Sequence, residues 1–461
     1  MNNGNPSRRR ISRRDMLKLG AGAAAASAVS PFLAACGGQS TSNSKGPSGN
    51  SATGQVTLWT QQTDIYLQAQ QHIVDKFNAS HKVQAKVVAV PSASVTDVSK
   101  LLTAVRGGTG PDCYMLDRFT VPQQAATGTL EPLSQFVSKE SDLPGQYLDY
   151  AWKEVVFKNK PYALPFDTDV RGLYYNKSML RQIGINPSDL DISKGPITVD
   201  RMHDINVAAN QTAANGNYTR VGVVPWFSQG LGYTWGFIFG GSFANLGKCQ
   251  LTPTNHGVVQ GYQFIYNWAK EFGPQKLASF VSAYAPLNAP PATDPFFVGR
   301  TALEFTGDWQ IAAIQKYVPS LDYGITYQPV PKAGNKPSTW SGGFSLVIPQ
   351  GAKNPEGAWE LMRYMCGIEG QRYYTTNTSH LPTWKALVSN KSLFNAAHQI
   401  FVDHMLPITR SRPPLPVGAK YFDELQSALS AVELNSQQPA EALQAVGTAV
   451  SPQLQHYCPL T

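Results

Sequence analysis

The chain is poor in charged residues, and beyond residue 36 it has no run of about 20 apolar residues. Only 15% of its 461 residues are charged, so Asn, Gln, Ser, Thr and Tyr supply much of the polarity. The missing apolar run argues against a membrane-spanning helix in that part of the chain. With 42% hydrophobic and 11% aromatic residues the chain is not of the disordered type. Its length indicates two or three domains.

Several signatures of catalysis and nucleotide binding are also missing. The sequence contains no P-loop, no GxSxG and no HExxH motif. Its eight His residues are scattered without metal-ligand spacing, so we expect no metal site and no other cofactor. Residues 1–35 hold six of the 38 basic residues and one acid, which accounts for +5 of the net charge of +8. Because the remainder has no basic run, we do not predict a nucleic-acid partner.

The first 35 residues have the pattern of an export signal. A basic segment, RRRISRRDMLK at 8–18, precedes a weakly apolar stretch rich in Ala and Gly, which is typical of a signal peptide. SRRDMLK at 12–18 resembles a twin-arginine export signal, and LAAC at 33–36 resembles a lipobox whose Cys is diacylated. We therefore predict a signal peptide at 1–35 and a lipid anchor on Cys36. A flexible tether at 36–54 would hold the protein at the outer face of the cytoplasmic membrane.

The part that follows begins with alternating strand and helix patterns. The predicted strands are 55–60, 82–90 and 111–116, and the predicted helices between them are 66–77 and 98–105. This β-α-β-α-β order predicts an α/β fold with a parallel sheet. Ligands of such sheets bind beyond the carboxyl ends of the strands, which directs attention to 59–64 and 117–119.

Seven sequence motifs then follow one another in an order that resembles a known family. They are GPD and DRF at 110–119, KPYALPF at 160–166, LYYNK at 173–177, FVGRTAL at 297–303, TGDW at 306–309, YGI and GGFSLVIP within 323–349, and NPEGAWE at 354–360. From about residue 55 to 461 the chain resembles the extracytoplasmic sugar-binding proteins of ABC importers, the maltodextrin-binding class. One departure is Asp308, which stands where the family usually has Pro.

The resemblance implies a two-lobed periplasmic-binding-protein-like fold of the maltose-binding type. A ligand cleft would lie between the lobes, with three hinge crossings. Lobe one would comprise 55–168 and 345–408, lobe two 169–344 and 409–461, and the crossings would lie near 167–170, 342–345 and 407–412. The pair Gly342-Gly343 suits a hinge because glycine accepts unusual backbone angles.

Neutral sugars present hydroxyls around C–H patches, so they bind aromatic faces together with amide or carboxylate groups. From the resemblance and this chemistry, the candidate ligand-binding residues are Gln61, Gln62, Asp117, Arg118, Asp169, Trp226, Tyr233, Trp309, Gly343, Arg412 and Tyr421. Asp167 is a rival of Asp169, and Trp340 is assigned to the cleft rim. The alternatives are a strand-end salt bridge or helix cap for Asp117 and Arg118, and core packing for the aromatic residues.

The predicted function is capture of a carbohydrate by hinge closure and its delivery to membrane permease subunits of an ABC importer. The protein would be a monomer, would touch the membrane only through its lipid anchor, and would not be an enzyme. Neutral amides at 61–62, where maltodextrin binders present Asp-Lys, argue against maltodextrin itself. One alternative is a secreted glycoside hydrolase using Asp117 and Asp169. Another is a same-fold binder of a glycerol-phosphate-type ligand held by Arg118 and Arg412.

Four cysteines follow Cys36, and they allow three pairings between which the sequence alone does not choose. Buried free thiols are the alternative to disulfides. The lobe assignment implied by the resemblance places Cys113 with Cys366 and Cys249 with Cys458. Bridges in those pairs would leave the hinge free.

Overall fold

The computed structural model describes residues 53–286 and 289–460. The predicted signal peptide, the lipidation site Cys36 and all but the last two residues of the predicted tether lie outside the described residues. Within the described part, none of the helices is both long and apolar enough to cross a membrane.

Helices and strands alternate along the described chain. The strands are β1 (Gly54–Thr60), β2 (Val83–Ala89), β3 (Cys113–Asp117), β4 (Val156–Phe157), β5 (Lys160–Pro161), β6 (Ala163–Pro165), β7 (Asp167–Asn176), β8 (Gln211–Thr212), β9 (Tyr218–Arg220), β10 (Ala244–Asn245), β11 (Gln250–Leu251), β12 (Leu303–Gly307), β13 (Tyr323–Thr326), β14 (Thr339–Gly342), β15 (Phe344–Val347), β16 (Leu381–Pro382) and β17 (Thr409–Ser411). The helices are α1 (Asp64–Ser80), α2 (Ser99–Arg106), α3 (Val121–Ala126), α4 (Ser134–Val137), α5 (Leu143–Gln146), α6 (Asp149–Glu154), α7 (Lys177–Gln182), α8 (Val199–Ala209), α9 (Gly232–Ile238), α10 (His256–Phe272), α11 (Pro274–Tyr284), α12 (Gln310–Tyr317), α13 (Pro355–Met365), α14 (Ile368–Thr378), α15 (Lys385–Val388), α16 (Ala396–Ile400), α17 (Gly418–Glu433) and α18 (Pro439–Gln455).

The first sheet has five strands in the order β2-β1-β3-β15-β6. Strands β1, β2 and β3 run parallel, whereas β15 lies antiparallel to both β3 and β6. Helix α1 packs its apolar face, which includes Ile73 and Phe77, into the core of this lobe beside Leu58 and Met115. The predicted β-α-β-α-β opening with a parallel sheet is therefore confirmed.

The second sheet is built around β7, a strand whose ten residues are all buried. It pairs antiparallel with β12, β13, β14 and β16, and β14 pairs parallel with β17. A separate apolar core, which contains Trp235, Tyr262 and Leu425, covers this sheet. The chain passes between these two sheets at three points, between β6 and β7, between β14 and β15, and between β15 and β16. Two lobes result, joined by crossings.

Gly343 forms the crossing between β14 and β15 and has a φ of +121°. A Cβ at this position would lie 2.5 Å from the carbonyl oxygen of Asp167 and 2.6 Å from Nη1 of Arg118. Both the backbone angle and the space therefore require glycine.

The segment that precedes the last crossing packs against the second sheet. Phe394, Phe401 and Met405 share a core cluster with Tyr174 of β7 and Ile325 of β13. These contacts differ from the lobe boundaries expected from the family resemblance, which placed the whole of 345–408 in lobe one. The reason is that Tyr174 and Ile325 present an apolar face that this segment covers. The other lobe boundaries stay a prediction.

Two of the four described cysteines form a disulfide, Cys249–Cys458, with a Cα–Cα distance of 6.0 Å. The pairing implied by the lobe assignment is confirmed for this bridge. Cys113 and Cys366 are buried free thiols in the core beneath the first sheet, so the thiol alternative holds for them. Burial raises the pKa of the Cys366 thiol well above its ordinary value, which keeps it protonated.

Candidate functional site

A cavity of about 340 Å³, called here the inner cavity, lies between the two lobes. The residues that line it are Gln62, Tyr66, Val95, Asp117, Asp169, Arg171, Gln229, Leu231, Trp309, Trp340, Gly343, Phe344, His380, Arg412 and Phe422. Some lie at or after the carboxyl ends of β1, β2 and β3, and others lie on β7, β14 and α17 of the second lobe. A ligand in this cavity would therefore touch both lobes and a crossing.

The first of two buried ion pairs at the inner cavity joins Asp117 to Arg412. Nη2 of Arg412 donates to Oδ1 of Asp117 at 2.6 Å, and Nη1 donates to Oδ2 at 3.3 Å. The guanidinium lies 3.7 Å above the ring of Phe119. Burial raises the pKa of Asp117, an effect that the charge of Arg412 opposes. The pair fixes the end of β3 against the residue that follows β17 and compensates both charges.

The second ion pair joins Asp169 to Arg171, which lie on the same face of β7 because they are two residues apart. Nη1 of Arg171 donates to Oδ1 of Asp169, and the N–H of Gly342 donates to the same oxygen at 2.7 Å. Nε of Arg171 donates to Oε1 of Gln229 at 3.1 Å. Burial by itself would raise the pKa of Asp169, but the neighbouring positive charges, chiefly Arg171, hold it below its ordinary value. Asp169 is thus kept ionised.

Two tryptophans flank the Arg171 guanidinium, whose central carbon lies 3.6 Å from the Trp340 ring centre and 5.2 Å from that of Trp309. Nε1 of Trp340 donates to Oγ1 of Thr234 at 2.8 Å, which fixes that ring. Trp309 precedes α12 and stacks on His380 with ring centres 5.9 Å apart. Burial lowers the pKa of His380 to about 4, so its imidazole is neutral near pH 7. The aromatic surface of the cavity is therefore rigidly held.

The structure brings six of the eleven predicted site residues to the inner cavity. They are Gln62, Asp117, Asp169, Trp309, Gly343 and Arg412. Their positions are compatible with ligand contact, and their roles in binding stay a prediction.

Arg118 and Gln61 do not line the inner cavity. Arg118 is fully buried and donates from Nε to Oε2 of Glu154 at 2.5 Å. Its two other nitrogens donate to the carbonyl oxygens of Asp167 and Gly342, both at 2.5 Å, so it braces two crossings. The salt-bridge alternative therefore describes Arg118 correctly. Gln61 points away from the cavity and donates to the hydroxyl of Tyr114 at 2.9 Å.

Trp226, Tyr233 and Tyr421 belong to the core of the second lobe. The Tyr233 ring packs 4.4 Å from that of Phe243, and the Tyr421 hydroxyl donates to the Phe243 carbonyl at 2.9 Å. Trp226 is half-buried against the same core. Their placement is a correction to the predicted site, because packing partners distant in sequence claim these rings. On α17 the cavity residue is Phe422, one position after Tyr421.

Several cavity residues were not predicted. Tyr66, Arg171, Gln229, His380 and Phe422 all line the inner cavity. Arg171 had a usable signal, because it stands two residues after Asp169, a spacing that puts both side chains on one face of a strand. The unusual Asp308 also has a structural role that the sequence did not reveal. Its carboxylate accepts the N–H of Val170 at 2.8 Å and the N–H of Leu381 at 3.1 Å, and thereby joins β7 to β16 beside the cavity.

These groups suit a neutral ligand rich in hydroxyls. Carboxylates and amides can bond hydroxyl groups, and the faces of the aromatic rings can contact C–H patches. Because Arg171 and Arg412 are each paired with a carboxylate, the cavity offers no uncompensated arginine to an anion. Among residues 53–286 and 289–460, no three His, Cys, Asp or Glu side chains are grouped so as to hold a metal ion.

Residues 72–400 match the family model described as bacterial extracellular solute-binding protein. This match covers more than half of the chain, so the protein belongs to that family. Its members are exported proteins, which makes this an extracytoplasmic protein.

Curated relatives and solved structures agree with the family match. The chain is 23% identical to the galactooligosaccharide-binding protein of Bacillus subtilis (strain 168) over 432 residues, which are 92% of this chain and 94% of that protein. It is 23% identical to the maltodextrin-binding protein MdxE of the same organism, covering 80% and 81% of the two chains. The mannobiose complex of CpMnBP1 superimposes with a TM-score of 0.76 at 22% identity, covering 86% of this chain and 98% of that one. The two-lobed fold of the maltose-binding type is therefore confirmed.

Proposed function

We propose that this protein captures a neutral carbohydrate in the inner cavity and delivers it to an ABC importer. The observation that carries the proposal is a cavity between two lobes where both arginines are charge-compensated and two tryptophans form part of the wall. The relatives and structural neighbours named above are binding proteins whose names specify saccharides, which supports the same ligand class here.

The contacts also favour this ligand over the two alternatives. A phosphate group would have to displace Asp117 from Arg412, or Asp169 from Arg171, before it could use either guanidinium. A glycoside hydrolase needs one carboxylic acid and one free carboxylate, whereas both aspartates here are engaged by arginines. The named relatives are binding proteins, not enzymes, which supports a role without chemistry.

The proposed mechanism is closure of the lobes around the ligand. Since the cavity residues come from both lobes, a bound sugar would stabilise the closed arrangement and shift the population toward it. Closed monomers would then dock on the permease subunits. Gly343 lines the cavity and forms a crossing, so we expect it to couple ligand binding to closure of the lobes.

Export and anchoring belong to the same proposal. Residues 1–35 would direct twin-arginine export, and Cys36 would carry the lipid anchor at the outer face of the cytoplasmic membrane. Labelled palmitate should be incorporated by the wild type and not by Cys36→Ser. Equal incorporation by both would overturn the anchoring proposal.

A binding screen tests the proposed function. We expect one class of neutral sugar to raise the melting temperature, because a ligand at 100 times its Kd adds about 2.7 kcal/mol of stability. Glycerol phosphates should give no shift. Calorimetry on Trp309→Ala should show at least about tenfold weaker binding, since an aromatic face is lost.

The matched control for Trp309→Ala is Trp359→Ala. Trp359 stacks on Phe136 within the first lobe, with ring centres 5.1 Å apart, and lies outside the cavity. Its removal should leave affinity unchanged. If no mono-, di- or oligosaccharide binds, the carbohydrate proposal is overturned.

A further inference from the structure

A second and larger cavity of about 580 Å³, called here the outer cavity, opens between α2, α3 and α17. Polar side chains such as Arg106, Gln124, Lys420 and Glu424 line much of it. None of the described residues that line it is aromatic. Its surface therefore differs in chemistry from the inner cavity, which contains several aromatic rings.

A thin wall separates the two cavities. Val95 and Phe422 line the inner cavity, while Thr96 and Asp423, their neighbours in the chain, line the outer one. Oγ1 of Thr96 donates to Oδ1 of Asp423 at 2.9 Å. We call these four residues the partition. Because Thr96 follows β2 and Asp423 lies on α17, the bond joins the two lobes across the boundary between the cavities.

A second contact holds the partition in place. Oε1 of Gln123 accepts the N–H of Ala419 at 2.8 Å and the N–H of Lys420 at 3.4 Å, two donors that the first turn of α17 leaves free. The rings of Phe119 and Phe422 also meet, with centres 5.7 Å apart. The N-terminal part of α17 is thus fixed against the first lobe beside the Thr96–Asp423 bond.

We infer that the Thr96–Asp423 pair sets the length of the saccharide by closing one end of the inner cavity. This inference rests on the proposed function. At about 340 Å³ the inner cavity is near the lower limit of roughly 300–1,000 Å³ for ligand pockets, which suits one or two sugar units. A longer chain that extends from the inner cavity toward α17 would have to pass the partition into the outer cavity. Opening the partition would therefore join the cavities and admit longer ligands.

The test is calorimetry with a ladder of one to five units of the sugar found in the screen. The wild type should bind one or two units best, with affinity at least tenfold weaker from three units on. The double variant Thr96→Ala/Asp423→Ala removes donor and acceptor together, so neither is left unpaired. It should keep its affinity for short ligands within about threefold and bind three or more units at least tenfold better than the wild type. Thr96→Ser, which keeps a hydroxyl, should retain the wild-type ladder.

Asp64→Asn is the control for an effect on lobe closure alone. The Asp64 carboxylate accepts from Nζ of Lys316 and from the hydroxyl of Tyr317, so it also joins the lobes, but none of the three residues lines either cavity. Loss of this contact should weaken all ladder members by the same factor. If the double variant also weakens all lengths equally, the partition is only a closure contact and the inference is overturned.

Two further results would count against the inference in different ways. Equal affinity of the wild type for two and four units would overturn the length limit and leave the proposed function intact. Failure of every sugar to bind would overturn the proposed function, and the length limit with it. A gain for long ligands that is specific to the double variant supports both.

Discussion

Arg171 is the residue on which the charge balance of the inner cavity depends most directly. Its guanidinium pairs with Asp169 and lies between two tryptophans. Arg171→Met keeps much of the side chain but leaves the buried carboxyl group of Asp169 without its main partner. We expect the free energy of unfolding to fall by about 3–5 kcal/mol, measured by urea denaturation at pH 7.

The double variant Arg171→Met/Asp169→Asn is the matched comparison, since it removes both charges. It should recover most of the lost stability, because the uncompensated carboxylate is gone. A double variant no more stable than Arg171→Met would contradict the assignment of the loss to the unpaired charge.

Asp167 is a buried carboxyl group without a charged partner at hydrogen-bond distance. Oδ1 accepts the N–H of Phe344 at 2.5 Å, and Oδ2 has no hydrogen-bond partner among the described residues. Burial raises its pKa from 3.8 to about 8. The native protein therefore retains a proton that the unfolded chain releases above about pH 4. This single group lowers stability as the pH rises from about 4 to about 8.

Asp167→Asn should remove this pH dependence while keeping an oxygen acceptor for the Phe344 N–H. The stability of the variant relative to the wild type should increase by up to about 1.4 kcal/mol per pH unit between pH 4 and 8, and then level off. Urea denaturation at a series of pH values measures the difference. Parallel stability curves for the two proteins would contradict the raised pKa.

Among single residues, sequence reasoning identified the aspartates of the site more readily than their arginine partners. Asp117 and Asp169 follow from their positions at a strand end and at a crossing. The arginine that pairs with Asp117 could not be predicted in this way, because Arg412 lies 295 positions away in the chain. Arg118 was chosen for its position beside Asp117, but the turn after β3 directs it to Glu154 instead.

The crossing between β14 and β15 is an element whose geometry depends on Gly343. Gly343→Ala should destabilise the protein by at least about 1–3 kcal/mol, because the positive φ and the approach of Asp167 and Arg118 both oppose a Cβ. Gly351→Ala is the control, since Gly351 has a φ of +77° but a Cβ added there would meet no atom within 4 Å. Thermal unfolding should show the larger loss for Gly343→Ala. Equal losses of stability in the two variants would show that the close approach of Asp167 and Arg118 to position 343 does not contribute.

Local periodicity predicted the strands and helices well, but it predicted less well which side chains of a helix face the cavity. The strands and helices from β1 to β3 are confirmed because each has its own pattern of apolar residues. On α17, Tyr421 and Phe422 lie about 100° apart around the helix, and both are aromatic. The choice between them depends on Phe243 and Phe119, which are distant in sequence. The packing of 394–405 on the second sheet likewise depends on partners that no local pattern reveals.

For the molecule as a whole, closure requires that covalent links leave the crossings free. Cys249 and Cys458 both pack with the core of the second lobe, so their bridge joins two parts of one lobe. The bridge therefore does not link one lobe to the other across the crossings β6–β7 or β14–β15. The disulfide should therefore affect stability and leave ligand binding unchanged.

Cys249→Ser/Cys458→Ser tests this separation of stability from binding. Because the bridge closes a loop with a sequence separation of 209, its loss should lower the free energy of unfolding by about 2–5 kcal/mol. Thermal unfolding should show this loss, and a reductant should lower the melting temperature of the wild type but not of the variant. Calorimetry should give the same Kd for both proteins within about twofold. A clearly weaker Kd in the variant would mean that the bridge also restrains the arrangement of the lobes.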